Sequence, residues 1–223
     1  MSIPNQPSHA ASVVVWDIPV RLLHWLIVAC VAVSWWSAEY RVMDVHLYSG
    51  YTLLGLLVFR LYWGLFGSPT ARFAQFVRGP RAIAAYLRER TGPEVPGHNP
   101  LGGWSVIAML VLLLTQVGVG LFVTDVDGLE SGPLSYLVSF DTSRTLADVH
   151  EIVFNVLLAL IALHIVAVLF YLIARRTNLI GAMITGRRRA HEIRGPVTLA
   201  SLWRIWPGVA LALIAVWFVT KSA

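Results

Sequence analysis

The sequence predicts an all-α integral membrane protein whose helices cross the bilayer five times. Three observations carry this: composition, the length of the apolar runs, and where the arginines fall. The chain has 223 residues, of which 57% are hydrophobic and 13% charged, about half the ~25% charge of a soluble domain. Apolar runs occupy Leu22–Ala38, Leu47–Phe66, Leu101–Val123, Ile152–Ala174 and Leu202–Thr220, each near the ~20 residues that a helix needs to span the hydrocarbon core. One such run could be a buried helix of a soluble fold. Five exceed what a core of this size can hide.

The elements follow in order. Residues 1–14 read as a polar cytoplasmic tail, because MSIPNQPSHAAS has neither the basic n-region nor the small-residue cleavage site of a secretory signal. The first span holds Cys30, the only cysteine, so the chain offers no intrachain disulfide, no cysteine zinc site and no C-x-x-C-H for covalent haem. Between the second and third spans lie Arg72, Arg78, Arg81, Arg88 and Arg90, in a stretch punctuated by Pro69, Pro80, Pro93, Pro96 and Pro100. Its amphipathic portion, ARFAQFVRGPRAIAAYLRER, suits the inner membrane surface. Arg175, Arg176, Arg187, Arg188, Arg189 and Arg194 follow the fourth span. Residues 187–223 read as a basic linker and the extra span. The opposite loops hold Glu39, Asp44, Asp125, Asp127, Glu130 and Asp141, with Arg41 and Arg144. This asymmetry orients the N-terminus to the cytoplasm and the C-terminus, with Lys221, to the outside. Arginines placed by topology also remove the nucleic-acid reading of a high pI.

Topology turns the histidines into a geometry. His24 lies near the inner face, while His46 and His150 open the second and fourth spans from the outer face. His164 follows His150 by fourteen residues, ~21 Å deeper and close to four turns on, so both rings leave one helix face. Two levels result, His46 with His150 outside and His24 with His164 inside. Two histidines from different helices at each level are what axial ligation of a six-coordinate haem iron requires. The plainer alternative, interior histidines hydrogen-bonded across helices, suits any one of them better than four in matched pairs. Zinc is a weaker rival, since 150-HEIVF-154 lacks the second histidine of H-E-x-x-H.

A flat group needs a slot, and Gly50, Gly55, Gly118 and Gly120 could open one, although close helix packing explains such glycines equally well. Arg21, one turn before His24, could pair with a haem propionate or simply snorkel to the inner surface. Asp148 and Glu151 read as acids in the first turn of a helix.

VWDIPVRLLHW at 15–25, H-x-x-x-G at 46–50, RLYWGLFG at 60–67, ARFAQFVRGP at 71–80, PGHNPLGGW at 96–104, the His150/His164 pair and MITG at 183–186 together resemble the bacterial cytochrome b561 and nickel–iron hydrogenase b-type cytochrome family. That family includes the membrane subunit of formate dehydrogenase. The resemblance runs from about Val15 to Gly186 and implies a four-helix di-haem b bundle, to which the fifth helix is an addition. It implies His46 and His150 as ligands of the outer haem and His24 and His164 of the inner one. It also implies quinone beside the inner haem, near His98-Asn99-Pro100-Leu101-Gly102-Gly103, where Asn99 could bond a quinone carbonyl or serve only as the N-cap. The expected role is electron transfer between the quinone pool and a periplasmic c-type cytochrome or a dehydrogenase or hydrogenase subunit, as part of a complex. The acidic outer loop Thr124–Asp141 could steer such a partner. Two other readings stay open: a stand-alone oxidoreductase exchanging electrons between quinone and a small molecule such as superoxide, and a haem-free transporter or sensor using histidines as proton relays.

Overall fold

The computed structural model describes residues 12–88, 97–189 and 197–221. The tail up to residue 11, Arg90, Pro93 and Pro96 of the basic loop, and Arg194 lie outside the described residues. Elements run in the order β1 (Ser12–Val14), α1 (Ile18–Glu39), α2 (Met43–Phe66), α3 (Phe73–Phe76), α4 (Pro80–Arg88), α5 (Pro100–Gly120), α6 (Phe140–Ile173), α7 (Leu179–Thr185), β2 (Arg187–Arg189) and α8 (Ile205–Thr220). Among the described residues five helical segments are long and apolar enough to cross a membrane, the last running Leu202–Thr220. Their outward faces are greasy: α6 alone exposes Ile152, Val156, Leu163, Val166, Phe170 and Ile173. This is a multi-pass membrane fold.

Local chemistry sets the helix starts. Asp17 Oδ1 accepts from the Val20 N–H at 2.9 Å with Pro19 just inside α1, and Asn99 Oδ1 accepts from the Gly102 N–H at 2.7 Å with Pro100 opening α5. Ser139 caps α6 through Thr142 and Asn178 caps α7 through Gly181. The fourth span departs from expectation. Its helix begins at Phe140 rather than near Ile152, because FDTSRTLADV, though polar, is well capped and helix-compatible. His150 therefore sits well inside α6, and Asp148 and Glu151 are not first-turn acids. Conversely, α5 stops at Gly120. There the chain folds back, with Gly132 N bonded to Val123 O at 2.7 Å and Leu134 N to Leu121 O at 2.8 Å. Gly118 and Gly120 thus lie at the end of the third span.

The amphipathic stretch forms two short helices, α3 and α4, separated at Val77–Gly79. Strand pairing, unforeseen from the sequence, joins the segment before α1 to the basic stretch after α7: Ser12–Val14 runs antiparallel to Arg187–Arg189. The extra helix α8 packs against α2. A Cβ on Gly55 would lie 3.2 Å from Val216, and one on Gly208 would strike Tyr62 at 2.5 Å, so Gly55 makes room for a helix and not for a cofactor.

Most sequence signatures meet in one knot around the N-terminus of α1. Gly186 O accepts from the N–H groups of Val15 and Trp16 at 2.8 and 3.2 Å, and the Thr70 hydroxyl donates to Val15 O at 2.8 Å. Trp63 Nε1–H donates to Asp17 Oδ2 at 3.0 Å. Gly186, with φ 79°, is a left-handed C-cap pressed on Trp16, where a Cβ would sit 2.7 Å from the Trp16 carbonyl.

Candidate functional site

At one end of the bundle, His46 from α2 and His150 from α6 face each other with ring centroids 6.2 Å apart and planes at 73°. His46 Nδ1 lies 2.9 Å from the Ser34 carbonyl and His150 Nδ1 lies 3.0 Å from the Gln116 carbonyl. A carbonyl can only accept, so both Nδ1 atoms donate, and in the neutral rings both Nε2 atoms are left as bare acceptors. Two metal–nitrogen bonds of ~2 Å and the ring radii together span roughly 6 Å, which is the separation found here.

Neighbouring helices make these bonds possible. Gly120, one turn after Gln116, carries no side chain where a Cβ would lie 2.9 Å from His150 Cε1, so the ring can approach α5 and reach Gln116 O. On the other side, Ser34 and Ser49 share a 2.7 Å hydroxyl bond and Ser49 also donates to His46 O at 2.9 Å. These contacts clamp α1 to α2 beside the ligand-bearing turn.

At the opposite end, His24 from α1 and His164 from α6 are close enough for the charge of His164 to bear on His24. His24 Nδ1 is covered by protein and has no hydrogen-bond partner among the described residues. His98, just before α5, is held between the rings of Trp16 and Phe76, both at 4.8 Å. Its ring keeps some surface, but Nδ1 is covered and unpartnered. Burial pushes the imidazole down to about 3, and the positive charges of Arg60, His164 and His24 push the same way. Arg60, on α2, is 7% exposed.

Asn99, besides capping α5, donates through Nδ2 to the Tyr171 hydroxyl at 2.8 Å, and Tyr171 and Tyr86 share a 2.6 Å hydroxyl bond. A chain Asn99–Tyr171–Tyr86 thus links α5, α6 and α4. Arg21 donates through Nη1 to Ile184 O at 2.6 Å, while its Nε is covered and unpartnered. Gly50 and Gly118 border open space: a Cβ at either would meet nothing within 4 Å.

Sequence reasoning named His98 only as part of the quinone stretch and gave Arg60 and the two tyrosines no role. Arg60 carried a readable signal, since it follows His46 by the same fourteen residues that separate His150 from His164. The tyrosines carried none.

Among the described residues no three His, Cys, Asp or Glu side chains gather into a site that could hold a metal ion by themselves. Paired imidazoles suit a group that brings its own equatorial ligands. With two imidazoles 6.2 Å apart whose Nε2 atoms are left as acceptors, open space beside Gly50 and Gly118, and a single cysteine inside a span, these residues fit haem held without covalent attachment: the class is a b-type membrane cytochrome. The chain belongs to the prokaryotic cytochrome b561 family, whose sequence profile matches residues 15–186. Membership makes it a haem b electron-transfer protein of the membrane. Neither a curated protein nor a solved structure gives a significant match.

Proposed function

We propose that the chain holds two haem b groups, one between His46 and His150 and one between His24 and His164, and carries electrons across a bacterial inner membrane. The carrying observation is the His46–His150 pair, with its 6.2 Å ring separation and both Nδ1 atoms tied to backbone carbonyls. Haem b would supply a reversible one-electron couple at each level. The chain's own residues do the rest. His46 and His150 present fixed nitrogens, α6 supplies one ligand to each level, and the apolar helices keep both levels dry. Gly50 leaves room for a flat ring beside His46. Arg21 offers its remaining Nε to a carboxylate near His24.

Arginine placement supports the orientation. Arg72, Arg78, Arg81, Arg88, Arg175, Arg176 and Arg187–Arg189 flank the His24 end, which makes it cytoplasmic and the C-terminus periplasmic. The quinone site is assigned to that end, around Asn99. Quinone chemistry couples protons to electrons, so its site needs exchangeable hydrogens. Asn99 keeps one amide hydrogen beyond its bond to Tyr171, and because Tyr171 accepts from Asn99, its own hydroxyl hydrogen is available to Tyr86 or to a quinone carbonyl. At the His46 end, the turn carrying half-buried Asp125 and exposed Val126, Asp127, Leu129 and Glu130 offers charge and apolar surface to a periplasmic c-type cytochrome or a dehydrogenase or hydrogenase subunit. The protein then acts as an electron-transfer subunit rather than a complete enzyme.

Haem quantification against protein concentration tests the core of this reading. Two haems per chain are expected, reducible by added quinol, with the periplasmic partner co-purifying from native membranes in mild detergent. A ratio of one haem per chain would sink it.

A further inference from the structure

We propose that Arg60, with His98 beside it, binds the propionate carboxylates of the haem held between His24 and His164. This rests on the two-haem reading above and assigns a role to residues that reading leaves unused. Arg60 follows His46 on α2 by fourteen residues, close to four turns, so it leaves the same helix face ~21 Å further along. That is the relation of His164 to His150 on α6. The register therefore sets a histidine of α2 against His150 and a guanidinium of α2 near the level of His164.

The hydrogen-bonding capacity of the guanidinium is largely unused. It is 7% exposed, makes one long bond from Nη2 to Ala71 O at 3.4 Å, and lies 4.9 Å from the centre of the Phe73 ring. Nη1 is covered and unpartnered. Asp17 is near enough to bear on its charge, yet both carboxylate oxygens of Asp17 already accept, from Val20 N–H and Trp63 Nε1–H. No carboxylate among the described residues makes an ion pair with Arg60. A long backbone bond and a ring face do not offset the burial of a full charge between membrane helices. His98 places a second unpartnered nitrogen nearby. The charge of Arg60 acts on His98 ahead of those of His164 and His24, so all four groups share one neighbourhood. An anion there would take a hydrogen bond from Nη1–H and one from His98 Nδ1–H. Haem b brings carboxylates as its only such anions. Arg21 is the less complete partner, since its Nη1 is already committed to Ile184 O.

The test is a redox titration of the purified protein in detergent, with each haem followed at its own absorbance, for wild type, Arg60→Gln and Arg60→Lys. It is paired with redox-difference infrared spectra using haem isotope-labelled at the propionate carboxyls. Arg60→Gln should lower the potential of one haem, make that potential more pH-dependent, and move its labelled carboxylate band, leaving the other haem unchanged. Arg60→Lys should hold the potential near wild type while still moving the band. His98→Gln should move the same band less. Unmoved potentials and an unmoved band in Arg60→Gln overturn the proposal; if that variant fails to assemble, an unmoved band in Arg60→Lys does so. His24→Ala and His164→Ala separate the two levels of argument, because loss of one and the same haem in both upholds the two-haem reading whatever Arg60 does.

Discussion

Asp17 accepts from Trp63 Nε1–H at 3.0 Å with one oxygen and from the Val20 N–H at 2.9 Å with the other, so a single buried carboxylate both starts α1 and fastens it to α2. Asp17→Ala should remove a cap worth about 1 kcal/mol and strand the indole N–H for another 1–3 kcal/mol, roughly 2–4 kcal/mol in all. Asp17→Asn keeps one oxygen for the cap but turns an amide NH2 toward the indole N–H, so it should lose the Trp63 bond alone. Unfolding of both variants in detergent reads the cap as the difference between them, and an Asp17→Asn midpoint equal to that of the wild type would show that the Trp63 bond contributes nothing.

Gly120→Ala should act on one ligand only. Its Cβ would sit 2.9 Å from His150 Cε1, pushing the ring off the Gln116 carbonyl and loosening the fixed tautomer. The expected result is a shifted spectrum and weaker retention of the haem at the His46 level, with the other level unaltered. Optical and paramagnetic resonance spectra of the oxidised protein would register it.

Loss of a ligand should split the cofactors. His164→Ala should remove or religate the haem shared with His24 and leave the His46–His150 level spectrally intact; His46→Ala should do the converse. Two unperturbed bis-histidine signals in either variant would refute the pairing.

Tyr171→Phe keeps the ring but deletes the hydroxyl that joins Asn99 to Tyr86. Haem reduction by quinol should slow by an order of magnitude or more, the range of losing a positioned proton donor, while the spectrum stays the same. Asn99→Leu should slow it similarly and also weaken the start of α5. Unchanged quinol kinetics in both would move the quinone site elsewhere.

Acid should weaken the fold through His98. Its imidazole is held down to about 3, from an ordinary 6.5, so the folded protein resists a proton that the unfolded chain accepts. That contribution is intact above pH 6.5 and is lost progressively as pH falls toward about 3. Unfolding midpoints across this window should fall less steeply in His98→Phe than in the wild type.

What the sequence made legible was whatever it writes as a period or a length. Apolar runs of bilayer length announced the spans, and the fourteen-residue interval on α6 announced two levels. Boundaries defined by caps were harder to read: the polar turns from Phe140 to Val149 are helical because Ser139 caps them and no breaker intervenes, which hydropathy does not register. Gly55 looked like Gly50, yet one faces α8 and the other open space, a distinction that depends on which helix lies alongside. The Tyr86–Tyr171 bond joins positions 85 residues apart with no motif around either. Arg60 was hidden differently. Within RLYWGLFG it passes for a cation at the end of a span, and only the matched register on two helices sets it apart.

The carbonyls of Ser34 and Gln116 fix the protonation of His46 and His150, and neither belongs to a side chain. No substitution can delete such a partner; changing Ser34 or Gln116 alters what hangs from the helix and leaves the oxygen in place. The electronic character of these two imidazoles is thus inherited through helix spacing rather than residue identity. It is tuned by moving α1 or α5, or by crowding the ring as at Gly120, which makes it robust to substitution of Ser34 and Gln116 themselves and invisible to any search that compares letters alone.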